Sequence, residues 1–299
     1  MKIWIPSFYT EAHRSTERQA ELVSAFNEIG VHCVPELEPN CDLCFCGAIR
    51  HANTVRRYIP KGMPLVHYNW DLYPYMIENC KTLDWKGYIR QLRDCKLTTM
   101  IVTPSQCTSN RTMEYTDRSS TVVLSPVKVW DVPEYNQIGD GVARIHHPKS
   151  YVVDVMRGYH WDPCVDWTVK ACRKLRIPLI RTLTSTPWDV FRYTIANARL
   201  LLSCFYEAST GGLTLLEGYA HGVRSLVSDS PRMGAVDYLG SRANYFRHQS
   251  LDHLIYMLQL MWNDKYEPDS QDNRRWVETQ YSELRFTNDM KKVFQSCLN

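Results

Sequence analysis

The chain has 299 residues, a length that favours about two domains over a single hydrophobic core. Apolar residues make up 44% and charged residues 22%, with 13 glycines and 15 prolines, a composition that excludes collagen-like, coiled-coil and intrinsically disordered chains. The 35 basic and 32 acidic residues leave a formal charge of +3, which is too small to indicate a nucleic-acid-binding protein by itself.

The sequence predicts neither a membrane span nor a secretion signal. No apolar run approaches the roughly 20 residues that cross a bilayer, and the first residues lack the apolar core of a signal peptide. We therefore expect a cytoplasmic protein without stable membrane insertion. The 11 cysteines are an odd number at irregular spacings, which favours reduced thiols over a disulfide framework.

The first half of the chain alternates short apolar runs with amphipathic stretches. An opening strand at residues 2–6 precedes a helix that begins near Ser15 or Thr16 and ends at Gly30, because apolar residues recur there at helical spacing. Further strands are predicted at residues 31–34, 43–46, 64–68, 100–103 and 122–124. This βαβα order predicts a parallel sheet with helices on both faces.

A break in this alternation predicts the domain boundary. Residues 131–149 are rich in proline, glycine and polar groups, and a second alternation of strands and helices follows them. We expect an N-terminal α/β domain at residues 1–135 and a second one at residues 150–270. Residues 271–299 are predicted to be a helical tail that packs back on the first domain.

The segment from residue 203 to residue 231 indicates a ligand site. It contains a strand end, a glycine pair and the start of a helix. Gly211 and Gly212 allow the backbone to come close to a ligand, and the helix directs unpaired N–H groups and a positive dipole end at it. The backbone N–H groups from Gly212 through Leu213 to Thr214 therefore predict a site for a diphosphate.

Two glutamates flank this predicted diphosphate site. Glu217 lies about one turn into the helix, where its carboxylate can accept hydrogen bonds from the vicinal hydroxyls of a ribose. Glu207 lies at the carboxyl end of the preceding strand and can bind the hydroxyls of a second sugar. A tight turn for the glycines and ordinary surface carboxylates for the glutamates are the competing interpretations.

This segment resembles the retaining GT-B glycosyltransferases of family four. Their motif reads Pro-Ser-x-x-Glu-Gly-Phe-Gly-Leu-x-x-Leu-Glu-Ala, then a small residue, Gly and a strand that ends Ser-Asp. The matching positions, in order, are Ser203, Glu207, Gly212-Leu213, Leu216-Glu217-Gly218, Gly222 and Ser228-Asp229. The resemblance implies the GT-B fold, in which two Rossmann-like domains with parallel sheets face each other across a cleft. It also implies transfer of a sugar from a nucleotide diphosphate with retention of anomeric configuration.

The resemblance implies roles for several other residues. Arg157 corresponds to the cation that binds the diphosphate, and Arg181 is expected to assist it because the family's lysine a few residues later is absent here. In the N-terminal half, His67, Asn69 and Asp71 follow a predicted strand where the family contacts the donor sugar. We expect His67 or Asn69 to contact the transferred sugar and Asp71 the acceptor, with an ordinary strand-end hydrogen-bond network as the alternative.

The resemblance also implies which small molecules take part. The co-substrate is expected to be a nucleotide sugar, with a UDP-sugar as the first choice, and no other cofactor and no catalytic metal are expected. Cys41, Cys44 and Cys46 have spacings that suggest zinc, but their apolar strand favours small hydrophobic thiols. A polysaccharide, a protein, a lipid or modified nucleic acid all remain open as acceptors, and the oligomeric state is open.

Two other functions remain possible from the sequence. The spacing between Glu207 and Glu217 is nine residues, where the family usually has seven, and the usual lysine is missing. These departures fit a non-catalytic protein that binds a nucleotide sugar or polymer. A GT-B-type epimerase that acts on the nucleotide sugar itself is the other alternative.

Overall fold

The computed structural model describes residues 1–6, 15–46, 57–69, 92–93, 95–127, 129–133, 147–155, 164–182, 186–205, 212–231, 233–264 and 270–299. These residues form two compact units. Unit 1 comprises Met1–Pro126 together with Tyr281–Asn299, and unit 2 comprises Val127–Gln280. No helix among the described residues has the length and apolar character needed to cross a membrane.

Unit 1 is built on a six-stranded parallel sheet. In chain order its elements before residue 127 are β1 (Lys2–Trp4), α1 (Ser15–Glu28), β2 (His32–Val34), β3 (Leu43–Cys46), β4 (Leu65–Tyr68), β5 (Met100–Thr103), α2 (Gln106–Thr116) and β6 (Thr121–Val122). The strand order is β2-β1-β3-β4-β5-β6, and every neighbouring pair is parallel. The predicted βαβα pattern is confirmed.

Both faces of this sheet are buried, because side chains alternate between two hydrophobic clusters. Phe45 and Tyr68 contribute to the larger cluster, together with residues of β1, β2 and α1. Cys44, Cys46 and Leu65 point to the opposite face, in a smaller cluster with Trp4 and Val34. The alternation places His67 of β4 on the same face as Leu65, because the two residues are two positions apart.

Unit 2 is built on a five-stranded parallel sheet. Its elements are β7 (Val152–Asp154), α3 (Trp167–Leu175), β8 (Leu179–Arg181), α4 (Trp188–Ala196), β9 (Leu200–Ser203), α5 (Leu213–Ala220), β10 (Arg224–Ser228), α6 (Gly234–Leu239), β11 (Asn244–Phe246), α7 (Leu251–Asn263) and α8 (Ser270–Gln280). The strand order is β11-β10-β9-β7-β8, and neighbouring strands are parallel.

The strand order of unit 2 defines a topological switch point. From β7 the chain moves to β8 on one side, and it then returns to the other side of β7 for β9, β10 and β11. In open α/β sheets, ligands bind beyond the carboxyl ends of the strands at such a reversal. The connection from β9 to α5 leaves the sheet at this point, so the topology predicts a ligand site at the start of α5.

The last two helices of the chain belong to different units. α8 packs against α5 in unit 2, where the ring of Trp276 meets that of Tyr219 edge to face at 5.7 Å. The final helix, α9 (Glu283–Leu298), packs on unit 1, and its Lys291 Nζ donates to the Ile29 carbonyl at 2.8 Å. Residues 271–299, predicted as one tail, are thus divided between the two units.

The chain passes from unit 1 to unit 2 between Pro126 and Val127. Trp130 follows, and its ring lies 5.6 Å from that of Trp188 on α4 and 5.6 Å from that of His221 after α5. The stretch predicted as a boundary, residues 131–149, therefore begins within unit 2. Residues 134–146 of that stretch lie outside the described residues.

Candidate functional site

Helix α5 begins at the carboxyl edge of the unit 2 sheet, after β9 ends at Ser203. Its N-cap residue is Gly212, and no side chain of the described residues caps the helix there. The first backbone N–H groups of a helix have no partner within the helix and attract anions, an effect that the helix dipole reinforces. Leu213 and Thr214, the first two residues of α5, present these groups where the sequence predicts a diphosphate.

Close packing against a neighbouring side chain requires glycine at position 212. A Cβ atom on Gly212 would lie 2.4 Å from Cδ2 of Tyr238, a buried side chain of α6, so no larger residue fits without a shift of that ring. The sequence motif predicts that this glycine allows a ligand to come close to the backbone. Contact with Tyr238 requires glycine whether or not a ligand is present. Gly211 lies outside the described residues.

Thr214 and Glu217 share the less buried face of α5. They are three residues apart and half-buried, whereas Leu215, Leu216 and Gly218 are buried. Gly218 brings the helix close to the sheet, since a Cβ there would lie 2.3 Å from Cδ1 of Leu201 on β9. Glu217 therefore stands on a helix that is held firmly against the switch point. Its predicted companion Glu207 lies outside the described residues.

Arg181 forms an ion pair with a buried carboxylate that the sequence analysis missed. Asp154 and Arg181 are direct neighbours in the β7–β8 register, and Arg181 Nε lies 3.1 Å from Asp154 Oδ2. The Asp154 side chain is only 1% exposed, whereas that of Arg181 is 37% exposed. Arg181 also donates from Nη2 to the Val165 carbonyl at 3.2 Å. Its guanidinium neutralises Asp154, and a phosphate would compete for the same charge. Arg157 lies outside the described residues.

The sequence around Asp154 indicates that this residue needs a charged partner. A charged residue that ends an apolar strand, as in Val152-Val153-Asp154, requires an opposite charge nearby if the strand is buried. The sequence does not predict which residue pairs with Asp154, because that depends on which strand lies beside β7. The structure makes that neighbour β8.

In unit 1, His67 lies near the carboxyl end of β4 and is fully buried. Its Nδ1 atom is 3.5 Å from Sγ of Cys46, which is its register neighbour on β3. Burial lowers the pKa of His67 to about 4, although the nearby Asn69 side chain acts in the opposite direction. The imidazole is therefore neutral at physiological pH, with one donor and one acceptor nitrogen.

Asn69 follows β4 directly and is also fully buried. Its backbone N–H donates to the Val102 carbonyl at 2.7 Å, which continues the β4–β5 ladder by one residue, and its Nδ2 donates to Thr112 Oγ1 at 3.2 Å. The structure thus places His67 and Asn69 at the same end of β4. Asp71, predicted beside them, lies outside the described residues.

The cysteines considered for zinc are buried in this structure. Cys41, Cys44 and Cys46 all belong to the smaller core cluster of unit 1. Within the described ranges, no group of three His, Cys, Asp or Glu side chains is arranged to hold a metal ion.

Comparisons with known proteins identify the fold. No family model matches this chain, and no curated protein matches it in sequence. Among solved structures, sucrose-phosphate synthase from Thermosynechococcus elongatus superimposes with a TM-score of 0.71 at 10% identity, over 99% of this chain and 98% of that one. HepE from Anabaena, in complex with UDP and glucose, gives a TM-score of 0.69 at 9% identity, over 99% of this chain and 100% of that one.

A third structure, the glycosyltransferase WaaG of lipopolysaccharide biosynthesis, gives a TM-score of 0.61 at 11% identity, over 98% of this chain and 99% of that one. All three are GT-B glycosyltransferases. This chain has the GT-B fold. The similarity covers both units, so the GT-B architecture predicted from the sequence is confirmed. At about 10% identity the similarity establishes the fold alone.

Proposed function

We propose that this GT-B protein is a glycosyltransferase that moves a sugar from a nucleoside diphosphate to a hydroxyl group of an acceptor. The observation that carries the proposal is the start of α5, where the backbone of Gly212 to Thr214, which no described side chain caps, and the half-buried Glu217 stand together at the switch point of the sheet. That combination suits a nucleoside diphosphate, since it supplies anion-binding N–H groups one turn away from a carboxylate that can accept from ribose hydroxyls.

A UDP-sugar is the donor that we propose first. HepE, which has the same fold, has been solved with UDP and with UDP-glucose. In the proposed reaction the bond between the anomeric carbon and the leaving phosphate oxygen breaks, and the acceptor oxygen bonds to that carbon. The acceptor proton passes to the leaving phosphate oxygen, and the configuration is retained, as the family resemblance implies.

The helix end has a definite task in this mechanism. Negative charge develops on the leaving phosphate, and donors fixed in advance at that position stabilise it. A helix N-terminus contributes about 0.3–1 kcal/mol to such an anion, and up to about 2 kcal/mol when partly buried, so a cation must act as well. We propose Arg157 for that cation, Glu207 for the second sugar, and His67 or Asn69 for hydroxyls of the transferred sugar.

The experiment that tests the donor site is a binding measurement on the Glu217→Ala variant. We expect its affinity for UDP, measured by calorimetry, to fall about tenfold or more, because two hydrogen bonds to a charged acceptor are lost. The matched control is Glu28→Ala, which removes an exposed glutamate from α1 of unit 1. Equal affinity in the wild type and Glu217→Ala would remove Glu217 from the site.

A screen of UDP-, GDP- and ADP-sugars by thermal shift identifies the donor, because a ligand that binds only the folded state raises the melting temperature. Release of the nucleotide is then followed with candidate acceptors, with and without EDTA. Saturable binding without release would instead indicate a binding protein, and isomerisation of the sugar without an acceptor would indicate an epimerase.

A further inference from the structure

Cys46 and His67 are neighbours on adjacent parallel strands. The register pairs them directly, and Cys46 Sγ lies 3.5 Å from His67 Nδ1 with both residues buried. On the other side of β4, His67 is paired with the aliphatic Ile101. Within the sheet, the polar contact of the imidazole is therefore made to the thiol.

The chemistry of the two side chains favours one direction for this hydrogen bond. A thiol is a weak acceptor, whereas the unprotonated nitrogen of a neutral imidazole accepts well. The favourable arrangement has the Cys46 S–H group donating to Nδ1. Transfer of the proton to the ring would create two charges in a fully buried position, which burial opposes. The remaining ring proton is then on Nε2.

No described residue meets full hydrogen-bond geometry at Nε2, although His67 is fully buried and the Asn69 side chain lies close enough to raise the pKa of the ring. Native proteins satisfy the great majority of their buried polar groups, so an orphaned one calls for an explanation. His67 stands near the carboxyl end of a strand in an open parallel sheet, the edge at which ligands bind. An oxygen atom of a ligand would supply an acceptor in full hydrogen-bond geometry, which the Asn69 side chain does not.

We propose that Cys46 is a positioning residue that holds His67 in the tautomer with its proton on Nε2, so that Nε2 donates to a hydroxyl oxygen of the transferred sugar. The identity of this ligand rests on the proposed glycosyltransferase function. The tautomer does not, and it can be measured on the free protein. Removing the Cys46 thiol frees Nδ1, and the proton then distributes over both ring nitrogens.

The tautomer is tested by long-range ¹H–¹⁵N spectra of the full chain with labelled histidine, in which His67→Gln identifies the His67 signals. We expect the wild type to carry the proton on Nε2 alone. Cys46→Ser, which keeps a donor, should retain this tautomer, and Cys46→Ala should show both. Cys44→Ala is the matched control, because it removes a buried thiol two residues away that is paired with Leu65 instead. A wild-type proton on Nδ1, or an unchanged tautomer in Cys46→Ala, would overturn the proposal.

The catalytic consequence is tested with the sugar nucleotide that the thermal-shift screen identifies. We expect Cys46→Ala to lower kcat for nucleotide release about tenfold while the Kd for UDP changes less than about twofold, with Cys46→Ser recovering most of the loss. Unchanged kcat, or a parallel loss of UDP binding, would contradict a positioning role. If no nucleotide sugar binds at all, the proposed function fails, whereas the tautomer measurement still decides the role of Cys46.

Discussion

Asp154 ends β7 in an almost completely buried position, and Arg181 supplies the opposite charge from β8. A buried carboxylate is costly unless it is paired, so the first task of Arg181 is to compensate Asp154. The family resemblance implies that Arg181 assists Arg157 at the diphosphate. The two roles predict different effects of a substitution. Loss of the ion pair lowers the stability of the free protein, whereas loss of a phosphate contact lowers only the affinity for the ligand.

We predict that Arg181→Ala lowers the free energy of unfolding by about 1–3 kcal/mol, since it removes a paired cation from a buried carboxylate. The double variant Asp154→Asn, Arg181→Ala should recover most of this loss, because the charge itself is removed. Urea unfolding measures both. Lys170→Ala, which removes an exposed cation from α3, is the control.

UDP affinity of the same variants separates the two roles of Arg181. If Arg181 only compensates Asp154, the Kd of the double variant for UDP stays within about twofold of the wild-type value. If Arg181 also contacts a phosphate, the double variant binds UDP about tenfold more weakly. An equal loss of stability in the single and double variants would contradict the ion-pair argument.

Sequence patterns located some site residues but not their contacts. The position of Glu217 one turn into α5 follows from helical spacing and from glycines at either end of the helix, and the structure has the helix there. The partners of Arg181 and His67 were not predictable. Each is supplied by a neighbouring strand, and the order and register of strands depend on the whole fold.

At the level of elements, α9 shows what a helical pattern leaves undetermined. The apolar residues from Leu251 onwards recur at helical spacing and predict a helical region, but spacing does not say which sheet a helix covers. Ser282 caps α9 by accepting from the Arg285 N–H at 3.1 Å, and this cap separates α9 from α8. The apolar face of α9 then completes the larger core cluster of unit 1.

Phe294 is at the centre of this contact. Its ring lies 5.5 Å from that of Phe26 on α1 and 5.2 Å from that of Phe45 on β3. We predict that Phe294→Ala lowers the free energy of unfolding of unit 1 by about 3–5 kcal/mol, because a cavity replaces a buried aromatic side chain.

Hydrogen exchange followed by mass spectrometry measures this effect unit by unit. Amides of β1 and β3 should lose protection in Phe294→Ala, while amides of β9 and β10 keep theirs. Leu284→Ala is the control, since Leu284 lies on the same helix with 62% of its surface exposed and should change stability by less than about 0.5 kcal/mol. Loss of protection in unit 2 alone would contradict the assignment of α9 to unit 1.

For the molecule as a whole, two histidines with lowered pKa values make stability fall at acid pH. Burial lowers the pKa of His67 in unit 1 to about 4. The pKa of His221 in unit 2 is also lowered to about 4, chiefly by burial and further by Arg274 and Lys149, while Asp131 acts in the opposite direction. An unfolded histidine has a pKa near 6.5, so below that pH the unfolded chain binds protons that the folded chain does not.

We predict that these two histidines leave the free energy of unfolding nearly constant above pH 7. Their contribution to stability is lost as the pH falls from about 6.5 to about 4. The fully buried His67 accounts for at most about 3 kcal/mol of that loss. Urea unfolding at several pH values checks this, and His67→Gln should flatten the profile. His147→Gln is the control, because His147 is exposed. An equal flattening of the pH profile in both variants would contradict the prediction.

Two parallel-sheet domains were predictable from the order of patterns along the sequence, and the GT-B fold was implied by the family resemblance of residues 203–231. Alternating strands and helices, repeated on either side of a break, predict two parallel sheets, and proteins about 10% identical to this one share the fold. The packing of α9 on unit 1 agrees with the predicted tail, but the place where the tail divides between the two units was not predictable in this way. It depends on contacts between residues far apart in the chain, such as Lys291 and Ile29.

The division of unit 1 between the two ends of the sequence governs how the protein folds as it is made. Ribosomes release a chain from its amino end at roughly 5–20 residues per second, so residues 1–126 emerge well before α9 can reach them. Unit 2 is continuous and can fold first, whereas unit 1 waits with part of its core uncovered. A nascent chain of this protein is therefore expected to need chaperone protection until α9 has left the exit tunnel.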